Sequence, residues 1–292
     1  MEETVAQEKE IAETVQSVRE EVSDKKSDRL HRISERLSVS ATNPNMEGKN
    51  PGLAFEEAIS DIFSYMGFKT EHIGGSGNTD VILKWKQNGD TVVAIVDGKS
   101  KSNGQVSHGD ISDIALDTHR EKNNADYVAI IGPGFSGDTI KNFAIKKEYA
   151  LITDKQLIEI ANASEELGLS LEEMSLMFQS PDGFSQLEEI ISSKRRELEI
   201  ILQIIRQFCN EQELLQSLSP RDLFLLLRNS SISPSMEELM DGFHILSNSQ
   251  IGILKKMDTN SLPENEQYVL CDVRETINRI RALANAIEKG VD

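Results

Sequence analysis

Two acids and one amine stand at the ends of two apolar runs in this chain. Asn78-Thr79-Asp80-Val81-Ile82-Leu83 is followed, after the polar turn Gln87-Asn88-Gly89-Asp90, by Val92-Val93-Ala94-Ile95-Val96-Asp97-Gly98-Lys99. Asn-Gly is the pair best suited to the positive φ angles of a tight hairpin, so the two runs read as antiparallel neighbours. Asp80 opens the first and Asp97 closes the second, which brings both acids to the same end of the sheet. Lys99 lies two residues beyond Asp97 and, by the two-residue strand period, points to the same face. Two carboxylates converging beside an amine can hold a divalent metal and activate a water.

The surrounding elements must position that group. Leu53 to Met66 reads as a helix with Phe55, Ile59, Ile62 and Phe63 on one face, ended by Gly67. A strand from Phe68 to Ile73, the loop Gly74-Gly75-Ser76-Gly77 and the hairpin follow. After Ser102-Asn103-Gly104 come a helix around Ile111 to Lys122, a strand Asp126 to Ile131, a Gly-rich loop, a helix Thr139 to Lys147 and a strand Tyr149 to Thr153. The order α-β-β-β-α-β, then α-β, implies an α/β (α+β) core: a mixed sheet with helices on both faces.

Taken together, these residues resemble the PD-(D/E)xK nuclease superfamily, a restriction-endonuclease-like fold, and within it the cleavage domain of FokI-type restriction endonucleases. The resemblance rests on the helix with Phe55-Glu56, the Gly-rich approach to Asp80, the strand ending Asp97-Gly98-Lys99-Ser100 and the element order. The later run Tyr127 to Gly137, then Leu151-Ile152-Thr153 and Leu169-Ser170-Leu171-Glu172, extends it over roughly residues 50 to 178. Thr79 stands where the superfamily name has Pro, a position that supplies no ligand. Asp97 stands where it has Glu, as in the FokI type.

The resemblance implies a Mg2+-dependent endonuclease, with Mn2+ able to substitute, that hydrolyses double-stranded DNA to leave a 5′ phosphate and a 3′ hydroxyl. It makes Asp80 and Asp97 metal ligands, with the Gly98 carbonyl completing a hard oxygen shell. Lys99 would polarise or deprotonate the water, and Glu56 matches the position from which many members add a further acid. Gln105, His108 and Asp110 fall in the following loop, within reach of a substrate, while His72 and His108 read more simply as surface or packed histidines. The helix with Asp110, Asp113, Asp117 and Arg120 corresponds to the one through which the FokI type dimerises, so a homodimer is expected. The alternative class is a noncatalytic nuclease-fold scaffold acting through its helical regions.

Two glycine motifs compete with this reading. Gly98-Lys99-Ser100 resembles the end of a P-loop, but the required earlier glycine falls at Val93 inside a strand. Gly132-Pro133-Gly134-Phe135-Ser136-Gly137 is a formal GxGxxG between a strand and a helix, with Asp154 near the ribose-binding distance. That dinucleotide reading lacks further βαβ repeats and leaves Asp80, Asp97 and Lys99 unexplained.

Length and composition frame these readings. A chain of 292 residues with 38% hydrophobic content suggests at least two domains. The net charge of −18 argues against nonspecific coating of nucleic acid and leaves a local basic groove possible. Residues 151 to 200 hold 11 acidic and 4 basic side chains, against 7 and 6 in residues 101 to 150, so the acidity concentrates after the candidate site. The sequence suggests neither a membrane span nor a secretory signal, and a cytoplasmic protein is expected. Cys209 and Cys271 lack CxxC spacing and read as core hydrophobes.

Three parts result: an N-terminal helical arm (1–44), the nuclease domain (45–178) and a helical, winged-helix-like or bundle-like C-terminal domain (179–292). The arm carries an apolar seam at Ile11, Val15, Val18 and Val22, then Leu30, Ile33 and Leu37, interrupted at Asp24 to Asp28, and packs either on its own protein or on another chain. In the C-terminal part, helices are expected over Phe184 to Cys209, after Ser219-Pro220, after Ser235-Met236, over Ser249 to Lys256 and over Val273 to Lys289. A short strand is expected at Gln267 to Cys271. In the winged-helix alternative Ile253-Leu254 pairs with Tyr268 to Leu270, and Gln250, Lys255, Lys256 and the loop near Asn260 form the contact surface. Either helical region could recruit a protein partner.

Overall fold

The computed structural model describes residues 27–48, 50–72, 81–211, 217–257 and 261–291. The chain divides into two compact units, Met1–Ile191 and Ser192–Asp292.

In the first unit, helix α1 (27–42) buries Leu30, Leu37 and Ala41, and α2 (Leu53–Tyr65) buries Phe55, Ala58, Ile59, Ile62 and Phe63 in the same core. Arg36 of α1 reaches Glu57 and Asp61 of α2 at 2.5 and 3.1 Å, and Glu47 of the connection between the helices at 3.1 Å. The arm seam from Ile11 to Val22 lies outside the described residues. A five-stranded sheet follows in the spatial order β1 (Lys69–His72), β2 (Val81–Gln87), β3 (Asp90–Gly98), β4 (Tyr127–Gly132) and β5 (Tyr149–Thr153). The first three strands are antiparallel and the last three parallel. The expected hairpin forms in register, Val81 opposite Val96 through Gln87 opposite Asp90. Asn88 and Gly89 have φ of 52° and 90°, the double positive φ of a type I′ turn.

Alternation along β3 divides its side chains between two cores. Ala94 and Val96 face the core of α1, α2 and α5 (Asp154–Leu167), where Phe63, Phe68, Trp85 and Phe178 cluster. Ile95 packs on the other side with Ile82, Val128 and Ile130, covered by Leu116 of α3 (Asp113–Lys122) and Ala144 of α4 (Asp138–Lys147). After the short α6 (Leu171–Ser175), the edge of β5 is capped by the Leu151 N–H donating to the Pro181 carbonyl at 3.1 Å.

The second unit has its own core. Ile200, Ile204 and Phe208 of α7 (Ser185–Glu211) pack with Leu223 and Leu227 of α8 (Pro220–Leu227) and with Leu239, Phe243 and Leu246 of α9 (Met236–Ser247). Ser219 and Ser235 cap α8 and α9 in capping boxes with Asp222 and Glu238. A hairpin of β6 (Leu254–Lys256) and β7 (Tyr268–Leu270) closes the unit, and Leu218 bridges to Tyr268. The helix expected over Ser249 to Lys256 does not form. Gly252 turns the backbone at φ +61°, and Leu254 then enters β6 opposite Leu270. The last element is α10 (Val273–Val291). Among the described residues no helix is long and apolar enough to cross a membrane.

Candidate active site

The candidate site lies where β2 begins and β3 ends. The described ladder opens at Val81 opposite Val96, so its last rung stands beside Asp97. Asp80 itself lies outside the described residues. Asp97 follows Ile95 to the α3 side of the sheet, and the strand's continuation is held by the Lys99 N–H donating to the Ile131 carbonyl at 2.8 Å. Lys99 Nζ then donates to Asp97 Oδ1 at 2.7 Å, the contact that the two-residue period predicts. Only 13% of the Asp97 side chain and 26% of the Lys99 side chain are exposed, so the pair is partly withdrawn from water.

Gly98 points the opposite way, onto α2. A Cβ at that position would stand 2.9 Å from Ile59 Cδ1, 3.5 Å from Phe55 Cδ1 and 3.6 Å from Glu56 Cγ. Only a residue without a side chain lets α2 come this close, and that approach brings Glu56 against the residue next to Asp97. Glu56 reaches this point from the α2 face, whereas Asp97 and Lys99 project from the other. Its carboxylate meets His72 Nε2 at 3.4 Å, with 15% of the Glu56 side chain exposed. His72 ends β1 opposite Val81, the residue after Asp80. The sequence reading treats His72 as a surface or packed histidine; counting the register of β1 on β2 would have placed it beside this end of the sheet.

The segment after Lys99 is tied down at both ends. The Ser100 hydroxyl donates to the Ser40 carbonyl at 2.6 Å and the Lys101 N–H to the Ala41 carbonyl at 2.8 Å, so the last turn of α1 supports the strand end. Lys101 Nζ meets Asp110 Oδ1 at 2.5 Å, and the backbone and hydroxyl of Ser107 donate to the same carboxylate. These donors, Lys101 first, hold the Asp110 carboxyl down to about 2. Asp110 is thus a loop staple, Gln105 is exposed, and the His108 ring edge packs on Phe143 at 4.8 Å.

The glycines of the Gly132 to Gly137 run serve this same loop. A Cβ at Gly132 would stand 2.6 Å from Val106 Cγ2, and one at Gly134 would stand 2.9 Å from the Gly104 carbonyl. Val106 bridges to Phe135 in parallel. Asp154 is buried at the start of α5, where burial raises its carboxyl above the usual range. Gly132 and Gly134 thus serve to pack one loop on another, and the unit is followed by no further βαβ repeat, as a dinucleotide fold would require.

On α3, Asp117 accepts from Lys147 and from the Tyr149 hydroxyl, and Arg120 donates to the Ala125 and Asp126 carbonyls. Asp113 and Ile114 remain exposed. Among the described residues no group of three or more His, Cys, Asp and Glu side chains is gathered closely enough to hold a metal. The donor types present, a carboxylate at Asp97 and a backbone carbonyl at Gly98, are hard oxygens of the kind Mg2+ takes, with Asp80 one peptide bond from Val81.

A mixed five-stranded sheet with flanking helices, whose central strand β3 ends in Asp97-Gly98 just before Lys99, defines an α/β restriction-endonuclease-like fold. Residues 10–184, more than half of the chain, match the family model of the FokI cleavage domain, and the chain belongs to that family. Two solved structures are similar to it. The restriction endonuclease FokI shares 18% identity over 54% of this chain at a TM-score of 0.42, and FokI bound to DNA shares 16% over 53% at 0.39. The chain spans about a third of each, 33% and 32%. No curated protein matches.

Proposed function

We propose that this chain is a Mg2+-dependent endodeoxyribonuclease that hydrolyses phosphodiester bonds of double-stranded DNA, with Mn2+ able to replace Mg2+. The observation that carries the reading is the 2.7 Å pairing of Lys99 Nζ with Asp97 Oδ1 at the end of β3, in a member of the FokI cleavage-domain family. Asp80, Asp97 and the Gly98 carbonyl would hold the ion, which when bound supplies charge neutralisation for the phosphoryl group and a more acidic water. Asp97 fixes the Lys99 ammonium, which would donate to and polarise the attacking water; as the neutral amine Lys99 Nζ would instead take the water's proton and pass it to the departing 3′ oxygen. Attack on phosphorus breaks the bond to the 3′ oxygen, leaving a 5′ phosphate and a 3′ hydroxyl. Glu56 is proposed as an additional acid acting from the α2 side, steadied by His72.

The division of labour follows: nuclease domain over 45–178, helical arm over 1–44, C-terminal domain over 179–292, in a cytoplasmic protein. The C-terminal domain would meet either DNA or a protein partner: the outward face of α9 carries Glu237 and Asp241, which disfavour phosphate, while Lys255 stays exposed on β6 and Lys256 is held by Glu266 at 2.5 Å. One site cuts one strand, so a double-strand break requires two copies, and we propose a homodimer.

Plasmid DNA incubated with the pure protein, with and without Mg2+ or Mn2+, tests the reading. Metal-dependent nicking or linearisation is expected, reduced at least about 10²-fold by Asp97→Ala and by Lys99→Ala. Cutting that survives both substitutions would move the chemistry elsewhere. An inactive wild type would leave a nuclease-fold scaffold that acts through its helices.

A further inference from the structure

Helix α1 is closed by a distant strand. Its last turn runs Val39-Ser40-Ala41-Thr42 into Asn43-Pro44, with no glycine to fold the chain back onto the final carbonyls. From its own chain end the Ser40 carbonyl receives the Asn43 N–H at 3.3 Å. The shorter bonds come from the segment after Lys99, 60 residues further along. The Ser100 hydroxyl donates to the Ser40 carbonyl at 2.6 Å, with the Ala41 carbonyl 3.1 Å away, and the Lys101 N–H donates to Ala41 at 2.8 Å. The Ser40 side chain is fully buried and donates back to the Arg36 carbonyl at 2.6 Å, so the turn that receives Ser100 is itself pinned. One turn earlier Arg36 ties α1 to Glu57 and Asp61 of α2, and Glu57 adjoins Glu56. Helix α1 therefore meets both the helix that carries Glu56 and the strand end that carries Lys99.

We infer that Ser100 is a positioning residue and that α1 is part of the cleavage machinery, not a separate arm. Residues 99 to 101 hang between two supports, the Lys99 N–H on the Ile131 carbonyl of β4 and Ser100 with Lys101 on the end of α1. By closing α1, Ser100 fixes the backbone from which the Lys99 side chain projects and sets that strand end against α2. The linkage is reciprocal: a docked α1 orders residues 99 to 101, and loss of the Ser100 bond frays the last turn of α1. Small displacements of a reacting group are costly, about 100-fold in rate for 1 Å, so this distant bond acts on the reaction without touching substrate or metal. The tie itself stands on the hydrogen bonds; its effect on cleavage rests on the nuclease reading.

Two measurements on the full-length protein, made well below the melting temperature of each variant, separate these halves. In Ser100→Ala without metal, amide hydrogen exchange should quicken about tenfold at Lys99, at Lys101 and through the last turn of α1, while α4 keeps wild-type rates. Single-turnover cleavage of plasmid DNA in Mg2+ should slow at least about tenfold with the half-saturating DNA concentration unchanged, a split that general destabilisation does not produce. Ser100→Thr keeps the hydroxyl and should restore both. Arg36→Gln loosens α1 from the α2 side, without touching the strand, and should slow cleavage in the same way. Exchange that quickens at Lys101 alone, or a Ser100→Ala protein that cuts at the wild-type rate, would overturn the inference. A wild type that does not cut would remove the nuclease reading instead, and the exchange pattern would still uphold or overturn the tie between α1 and the strand end.

Discussion

At the scale of single residues, the site depends on an absence. Gly98 leaves the space into which Ile59 and Phe55 fit, so Gly98→Ala forces a methyl to within 2.9 Å of Ile59 Cδ1 in a fully packed core. The clashing atom is the end of a side chain, so the cost should be near the low end for overpacking, about 1 kcal/mol in urea unfolding. Ile59→Val removes that terminal methyl and should recover most of the loss in the double variant. Strict additivity of the two single changes would show that they do not meet. His72 acts at the same scale. Its contact with Glu56 is an outer-layer support, and His72→Ala should raise the Mn2+ concentration needed for half-maximal cleavage about tenfold, with His72→Gln closer to wild type. Identical metal titrations would reduce the pair to packing.

At the scale of elements, the loop from Lys99 to Asp110 is braced as an extension of β3, with Gln105 and His108 left exposed on it. It is bonded to the end of α1, through Val106 to Gly134 and Ser136, and to itself through Lys101, Ser107 and Asp110. Because the folded state holds Asp110 at about 2, below its ordinary 3.8, this carboxylate stabilises the fold above pH 3.8, and that contribution fades as pH falls from about 4 to 2. Asp110→Asn should therefore lower the melting temperature at pH 7 and lose its effect toward pH 2. The ion pair is partly exposed, so the difference at pH 7 should stay below about 1 kcal/mol. Melting curves at pH 7, 4 and 3 check this; a gap that widens on acidification would assign the low value to another group.

At the scale of the whole molecule, the proposed function requires a chain of net charge −18 to bind a polyanion through a restricted patch, with one set of Asp97 and Lys99 in each copy. Linearisation of supercoiled plasmid should then rise with a higher order in protein concentration than nicking does, when measured below the dimer dissociation constant. Equal orders would mean that one copy cuts both strands.

How much of this was legible in the sequence follows from the range of the forces involved. The hairpin register came from Asn88-Gly89, because a two-residue turn with positive φ admits one strand pairing. The pairing of Lys99 with Asp97 came from strand alternation, and the starts of α8 and α9 from Ser219 with Asp222 and Ser235 with Glu238, since a cap and its partner lie three residues apart. The packing of Glu56 on Gly98 and toward His72, the anchoring of Ser100 and Lys101 on α1 and the use of Gly132 and Gly134 as loop contacts were decided only in three dimensions. The strand at Leu254 was decided there too, because its ladder partner Leu270 lies across a loop that local propensity does not see. Periodicity ranks faces and ends, but which face meets which depends on contacts between distant segments, and those exist only once the sheet and its helices have closed.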